Sequence, residues 1–293
     1  MIAVVIFSLL AACAVWLAGR RDPALDPRLT TVVLALLGVF PVLLAVMPKV
    51  IVIPAPAAAA QGHPWKLWLA ALWAAGFLVE MARLLSAWRR IRGWVGNSSL
   101  LEKVDGVEIR SRAGLRGPVA AGVRGRIIFV PDGWTRWDAD LRTMALRHEL
   151  AHHRRRDPLR RWIAGIAVAV NWFNPLVRWM VRRLLIQCEY SCDESVIRSG
   201  VETRRYAKAL CDLAEDKPLE GPALAMAERG GLEDRVRRLM EPQRDGGGLG
   251  SATLILFAVS AAALLALIGQ EAVAGYTRTE IHLRRTADPF PAP

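Results

Sequence analysis

The chain has 293 residues, of which 53% are hydrophobic, and its formal net charge is +12. A mean hydropathy of +0.26 is too apolar for an ordinary soluble domain and indicates several membrane spans around one modest globular part. Between Arg89 and Asp245 there are 30 Lys and Arg against 21 Asp and Glu, a basic surface suited to anionic phospholipid headgroups. Direct nucleic-acid binding is not expected, because the Arg clusters flank apolar segments and carry no nucleic-acid-binding signature.

Residues 2–18 form an uncharged run followed by Arg20 and Arg21, about long enough to cross a bilayer, which takes ~17–25 residues. No positive segment precedes it, so it reads as a span with its N-terminus outside rather than as a signal peptide. A second span covers residues 29–47, with Pro41 tolerated as a kink. After a Pro- and Ala-rich link, a third span covers residues 66–88 and is closed by Arg89, Arg90 and Arg92. Glu80 and Arg83 lie within it and read as the point where the helix leaves the lipid; an ion pair facing the bundle is the alternative. A fourth span, residues 252–268, follows Gly246, Gly247 and Gly248 and leads into a short tail.

The expected layout is three transmembrane helices over 1–92, a cytoplasmic domain over 93–250, a fourth transmembrane helix over 251–270 and an extracytoplasmic tail over 271–293. Basic loops after the first and third spans put both termini outside and the large domain inside. The four cysteines, Cys13, Cys188, Cys192 and Cys211, form no disulfide framework. Cys188 and Cys192, a helical turn apart, are expected to pack rather than bind metal.

Between residues 93 and 142 the pattern turns to strands. Residues 107–110 alternate, and residues 126–130 are β-rich between Gly125 and Pro131. The expectation is a small sheet with strand 126–130 at its edge, lining a cleft and pairing with an extended substrate backbone.

Residues 147–157, RHELAHHRRRD, contain an HExxH motif. On a helix His148 and His152 share a face one turn apart, so both imidazoles can reach one metal ion, with Glu149 beside its open position. There Glu149 can act as general base on an attacking water and pass the proton to a leaving amine. His153 points elsewhere and reads as a spare. Asp157-Pro158 reads as an N-cap and first helical residue, a structural role that leaves room for support of a ligand. Residues 162–170 are too short to span and read as a helix in or against the membrane, with Arg160, Arg161, Arg182 and Arg183 at the headgroups.

Residues 184–197, LLIQCEYSCDESVI, form a helix without Gly or Pro. Glu189 is the third-ligand candidate, completing a His2Glu site for one zinc ion. Asp193, four residues on, is placed to accept a hydrogen bond from the free ring nitrogen of a ligating His.

The HELAH with its RRRD tail, the WFNPLV at residues 172–177 and the Glu189–Asp193 element occur in order among the spans. In these the sequence resembles the membrane metallopeptidases of the BlaR/MecR type, bacterial transducers of β-lactam signals. The resemblance implies a multi-pass α-helical membrane protein of the bacterial inner membrane. An α+β gluzincin-like cytoplasmic zinc-peptidase domain would lie between helices 3 and 4. His148, His152 and Glu189 would be ligands and Glu149 the general base.

The resemblance further implies signalling by loss of a DNA-binding repressor, and self-cleavage in the loop before the last span, here residues 213–250. The antibiotic-sensing members carry a large penicillin-binding domain after the fourth span. This sequence ends at Pro293, so the β-lactam-sensing role is not carried over. Expected partners are membrane lipids, a protein substrate and, compatibly, a second copy of the chain. The alternatives are a housekeeping membrane protease of the CAAX-processing or heat-shock type, against which the order of spans argues, and a non-catalytic zinc-binding membrane scaffold, for which Glu149 would have no use.

Overall fold

The computed structural model describes residues 8–16 (10 and 14 apart), 27–46, 64–215 (124 apart) and 222–241. The fourth span, the tail and most of the first span lie outside the described residues. The rest is mostly helical, with one small mixed sheet.

Two helices open the described chain, α1 (Pro27–Val46) and α2 (Pro64–Gly96). Residues 67–96 of α2 are long and apolar enough to cross a membrane, and Leu67, Trp68, Leu72 and Leu78 stand exposed along them. After α2 the chain builds strands β1 (Ser99–Val104), β2 (Val107–Arg112), β3 (Val119–Ala121) and β4 (Ile127–Pro131). The sheet order is β1-β2-β4-β3, with β2 and β4 parallel and the other pairs antiparallel.

Strand 126–130 is therefore not the edge. β4 lies between β2 and β3, and its residues Ile128, Phe129 and Val130 are all fully buried. Helix packing covers one face, and Trp94 meets Phe129 edge-on at 5.6 Å on the other. A strand covered on both faces needs an unbroken apolar run, whereas β2 alternates buried Val107 and Ile109 with Glu108 and Arg110. The edges are β1 and β3, and β3, on the β4 side, is too short to show in a pattern.

Five more helices follow: α3 (Ala139–Arg154), α4 (Asp157–Val170), α5 (Pro175–Arg198), α6 (Thr203–Glu215) and α7 (Pro222–Met240). Asp138 caps α3 by accepting from the amides of Asp140 and Leu141, and Asn174 caps α5 through the amide of Leu176. Asp157 is the first residue of α4, and the cap is Arg156 in the left-handed region at φ +59°. Residues 213–250 are not an extended loop, since α7 occupies 222–240.

Helices α4 and α5 form a hairpin that packs against α1 and α2. Their shared core contains Leu34 and Leu37 of α1, Ala164 and Ala167 of α4, and Met180 and Leu184 of α5. Polar contacts pin the hairpin. The Asn171 amide donates to the Leu37 carbonyl at 3.0 Å, Thr30 donates to Gln187 at 2.9 Å, and Trp73 donates to the Val170 carbonyl at 3.1 Å.

Glu80 pairs with Arg83 at 3.0 Å and with Arg178 of α5 at 2.7 Å, so it ties α2 to the hairpin rather than marking an exit from lipid. Arg160 does not reach out to a headgroup either. It is 8% exposed and donates to Asp157 at 2.8 Å.

Candidate metal centre

Helix α3 buries one stripe, Met144, His148, Ala151 and His152, against α5 and α6. That stripe delivers both imidazoles to the floor of a cleft of about 1040 Å³, with Glu149 half-buried beside them. The facing wall is α5, whose Glu189 carboxylate lies 3.4 Å from His148 Nε2 and 3.6 Å from His152 Nε2. His148, His152 and Glu189 form a group whose donor atoms lie within 4.8 Å of one another, close enough to hold one metal ion.

The donor chemistry fits zinc. Each ring uses Nδ1 elsewhere, leaving the Nε2 lone pairs for the centre. His152 Nδ1 donates to Asp157 at 2.9 Å. His148 Nδ1 lies 2.9 Å from the Tyr206 hydroxyl and 3.2 Å from Asp193, and the hydroxyl donates to Asp193 at 2.7 Å. Asp157 thus holds a ligand candidate as well as starting α4. A second cluster, His152, Asp157 and Cys192, fits metal poorly. Burial pushes the Cys192 thiol up, so it stays protonated, and His152 Nδ1 is already engaged by Asp157.

Electrostatics in the site favour a cation between the three groups. Burial alone would lower the His148 pKa, but hydrogen bonds to Asp193 and Glu189 outweigh it and hold it up at about 10. Burial would raise Glu189, yet its bond to His148 and the charges of His152, His148 and Arg235 hold it well below the carboxylate range. Asp193 is likewise low, with burial overcome chiefly by Arg235.

The sequence did not single out Tyr206 or Arg235. Tyr206 was legible only as one polar position on the apolar face of α6. Arg235 gave no signal, since GLEDRVRRLM reads as a solvated charged helix. In the structure Arg235 grips Asp193 with Nε at 2.8 Å and Nη2 at 2.6 Å, and its Nη1 lies 3.5 Å from Glu189. His153 is no spare. It is buried, and its Nε2 bonds the Ile127 carbonyl at 2.9 Å, fastening α3 to β4. The strand nearest the base is β3, whose Ala120 amide donates to Glu149 Oε2 at 2.7 Å.

A family described as BlaR1 peptidase M56 matches residues 45–240, a stretch that contains α2, the sheet and every residue of this centre. Regulatory protein BlaR1 of Bacillus licheniformis is 26% identical over 126 residues, which make up 42% of this chain and 21% of that protein. The similarity thus spans about a fifth of that relative's length. With the two His and one Glu converging on one point and the family match running through all of them, the chain belongs to the BlaR1 peptidase M56 family.

Proposed function

We propose that the chain is an integral-membrane zinc endopeptidase acting in signal transduction, which cleaves a cytoplasmic transcriptional repressor, itself, or both. The observation that carries the reading is the convergence of His148, His152 and Glu189 in one cleft with Glu149 facing the same space. His148, His152 and Glu189 would hold the ion. When bound, zinc supplies a Lewis acid that polarises the peptide carbonyl and makes water acidic. Glu149 then takes the proton of the attacking water and returns it to the leaving amine. Asp157, Asp193 and Tyr206 hold the imidazoles in the tautomer that directs Nε2 inward.

Substrate would bind as an extended strand along the open side of β3, the sheet edge bordering the cleft. In the proposed topology the spans at residues 2–18, 29–47, 66–88 and 252–268 cross the membrane with both termini outside and the metal centre in the cytoplasm. The long exposed apolar stretch of α2, followed by Arg89, Arg90 and Arg92, supports it.

The test compares new protein N-termini in cells expressing the wild type or Glu149→Gln. Termini present only with the wild type are expected, a transcriptional repressor or this chain among them. Broad cleavage of misfolded membrane proteins would point to a housekeeping protease. A Glu149→Gln chain that fully restores a deletion phenotype would make the protein a zinc-binding scaffold.

A further inference from the structure

A second cavity, of about 550 Å³, lies on the other side of α3 from the metal centre, between the β1–β2 turn, the β3–β4 turn and the start of α4. Lys103, Arg126 and Arg156 line it, with Glu108, His153 and Leu159. Its charge is unbalanced. Glu108 is already held by Lys103 at 3.1 Å and by Arg110 at 3.0 Å. His153 is turned to the Ile127 carbonyl, which its Nε2 bonds at 2.9 Å. The exposed guanidiniums of Arg126 and Arg156 have no hydrogen-bond or ion-pair partner among the described residues. Arg156 also sits at φ +59°, where Asn or Gly would be unstrained. A strained position occupied by an unpaired Arg points to a use for its charge.

The position of the cavity says what would supply the anion. Helix α4 runs antiparallel to α2, because Gly165 lies against Leu84 while Val170 is bonded by Trp73. The first turn of α4 is therefore level with the cytoplasmic end of α2, where Arg89, Arg90 and Arg92 lie. From the cavity, Leu159 (38% exposed) and Ile166 (44% exposed) continue as an apolar stripe along the outward face of α4. A cationic recess at headgroup level opening onto an exposed apolar stripe matches a molecule with an anionic head and acyl tails.

We propose that this cavity binds the phosphate headgroup of an anionic phospholipid between Arg126 and Arg156, with an acyl chain following α4 past Leu159 to Ile166. This rests on the membrane placement proposed above, and goes beyond it by assigning a site and a lipid class.

The test is native mass spectrometry of the full chain in detergent, titrated with dioctanoyl phosphatidylglycerol, dioctanoyl phosphatidylcholine or inorganic phosphate. The wild type is expected to hold phosphatidylglycerol about tenfold or more tightly than phosphatidylcholine. The double variant Arg126→Gln/Arg156→Asn should lose that preference; Asn suits the left-handed position, so the fold is kept. Leu159→Gln should weaken phosphatidylglycerol and leave inorganic phosphate unchanged. Undiminished preference in the double variant overturns the site. Inorganic phosphate binding as tightly as phosphatidylglycerol, with Leu159→Gln without effect on either, makes it a soluble-anion site and overturns the lipid assignment. Alkaline extraction of membranes separates the two readings. A chain released by the wash sinks the membrane placement and this proposal together, while a retained chain whose double variant keeps its preference sinks the lipid site alone.

Discussion

Of the two residues of the centre that the sequence left unmarked, Arg235 makes more contacts than Tyr206, two hydrogen bonds to Asp193 and an ion pair with Glu189. Asp193 has a side chain only 3% exposed, and Arg235 is the fixed cation that neutralises it. Arg235→Ala would leave a buried carboxylate short of its partner, a change that costs about 3–5 kcal/mol. It should also lower zinc affinity roughly 10–100-fold by loosening the support of His148. Arg235→Lys restores charge without the two-pronged grip and should fall between. Thermal melts and zinc titration check this, and an Arg235→Ala protein matching the wild type in both would refute it. Glu149→Gln, by contrast, should bind zinc normally and lose about 10²–10⁴-fold in cleavage of a peptide substrate.

The pH response of the metal-free protein follows from the same residues. His148 is held at about 10, above its ordinary value, so its contribution is complete below about 6.5 and is lost as pH rises through about 10. Glu189 and Asp193 are held low, so theirs is complete above about 4.5 and is lost on acidification. The melting temperature of chelator-treated protein should be highest near pH 5–6 and fall steadily toward pH 10; a rise over that range would contradict the assignment. His148, Glu149 and His152 were legible because their geometry is local, one helical turn. Glu189 was legible as a carboxylate on a clean helix. Tyr206 reaches His148 across 58 positions and Arg235 reaches Asp193 across 42, and no spacing rule encodes such contacts.

Among elements, β4 shows how a strand can be found and misplaced. Its composition marked it as β, and its unbroken apolar run was itself the sign of a central strand. β3 and β1 escaped notice, β3 because three residues carry no period and β1 because SLLEKV is mostly exposed. The α4–α5 hairpin was half legible. Helical segments at 162–170 and 184–197 were in the sequence, but the caps at Arg156 and Asn174 and the burial against α1 were not. The turn of the hairpin also comes close to α2 at Gly76, where a Cβ would collide with the Trp172 indole. Gly76→Ala should therefore destabilise the protein by about 1–3 kcal/mol. Adding Trp172→Ala should recover part of that loss relative to Trp172→Ala alone, read as a double-mutant cycle of thermal unfolding.

For the whole molecule, the proposed topology makes a direct prediction. A reporter active only in the cytoplasm should work when fused after residue 98, and one active only outside should work when inserted in the 48–63 link. The opposite pattern would invert the topology. One further consequence comes from α5. It is a single unbroken helix of 24 residues, about 36 Å long by its rise per residue, with Pro175 at one end and Arg198 at the other. Its first half lies in the apolar core with α1, and Gln187, bonded to Thr30, stands two residues before Glu189. Glu189 and Asp193 therefore ride on the same helix as the residues packed against α1, so a displacement of the buried half would carry both carboxylates with it. In the proposed signalling role α5 would be the lever that joins the helices packed at its first half to the metal cage at its second.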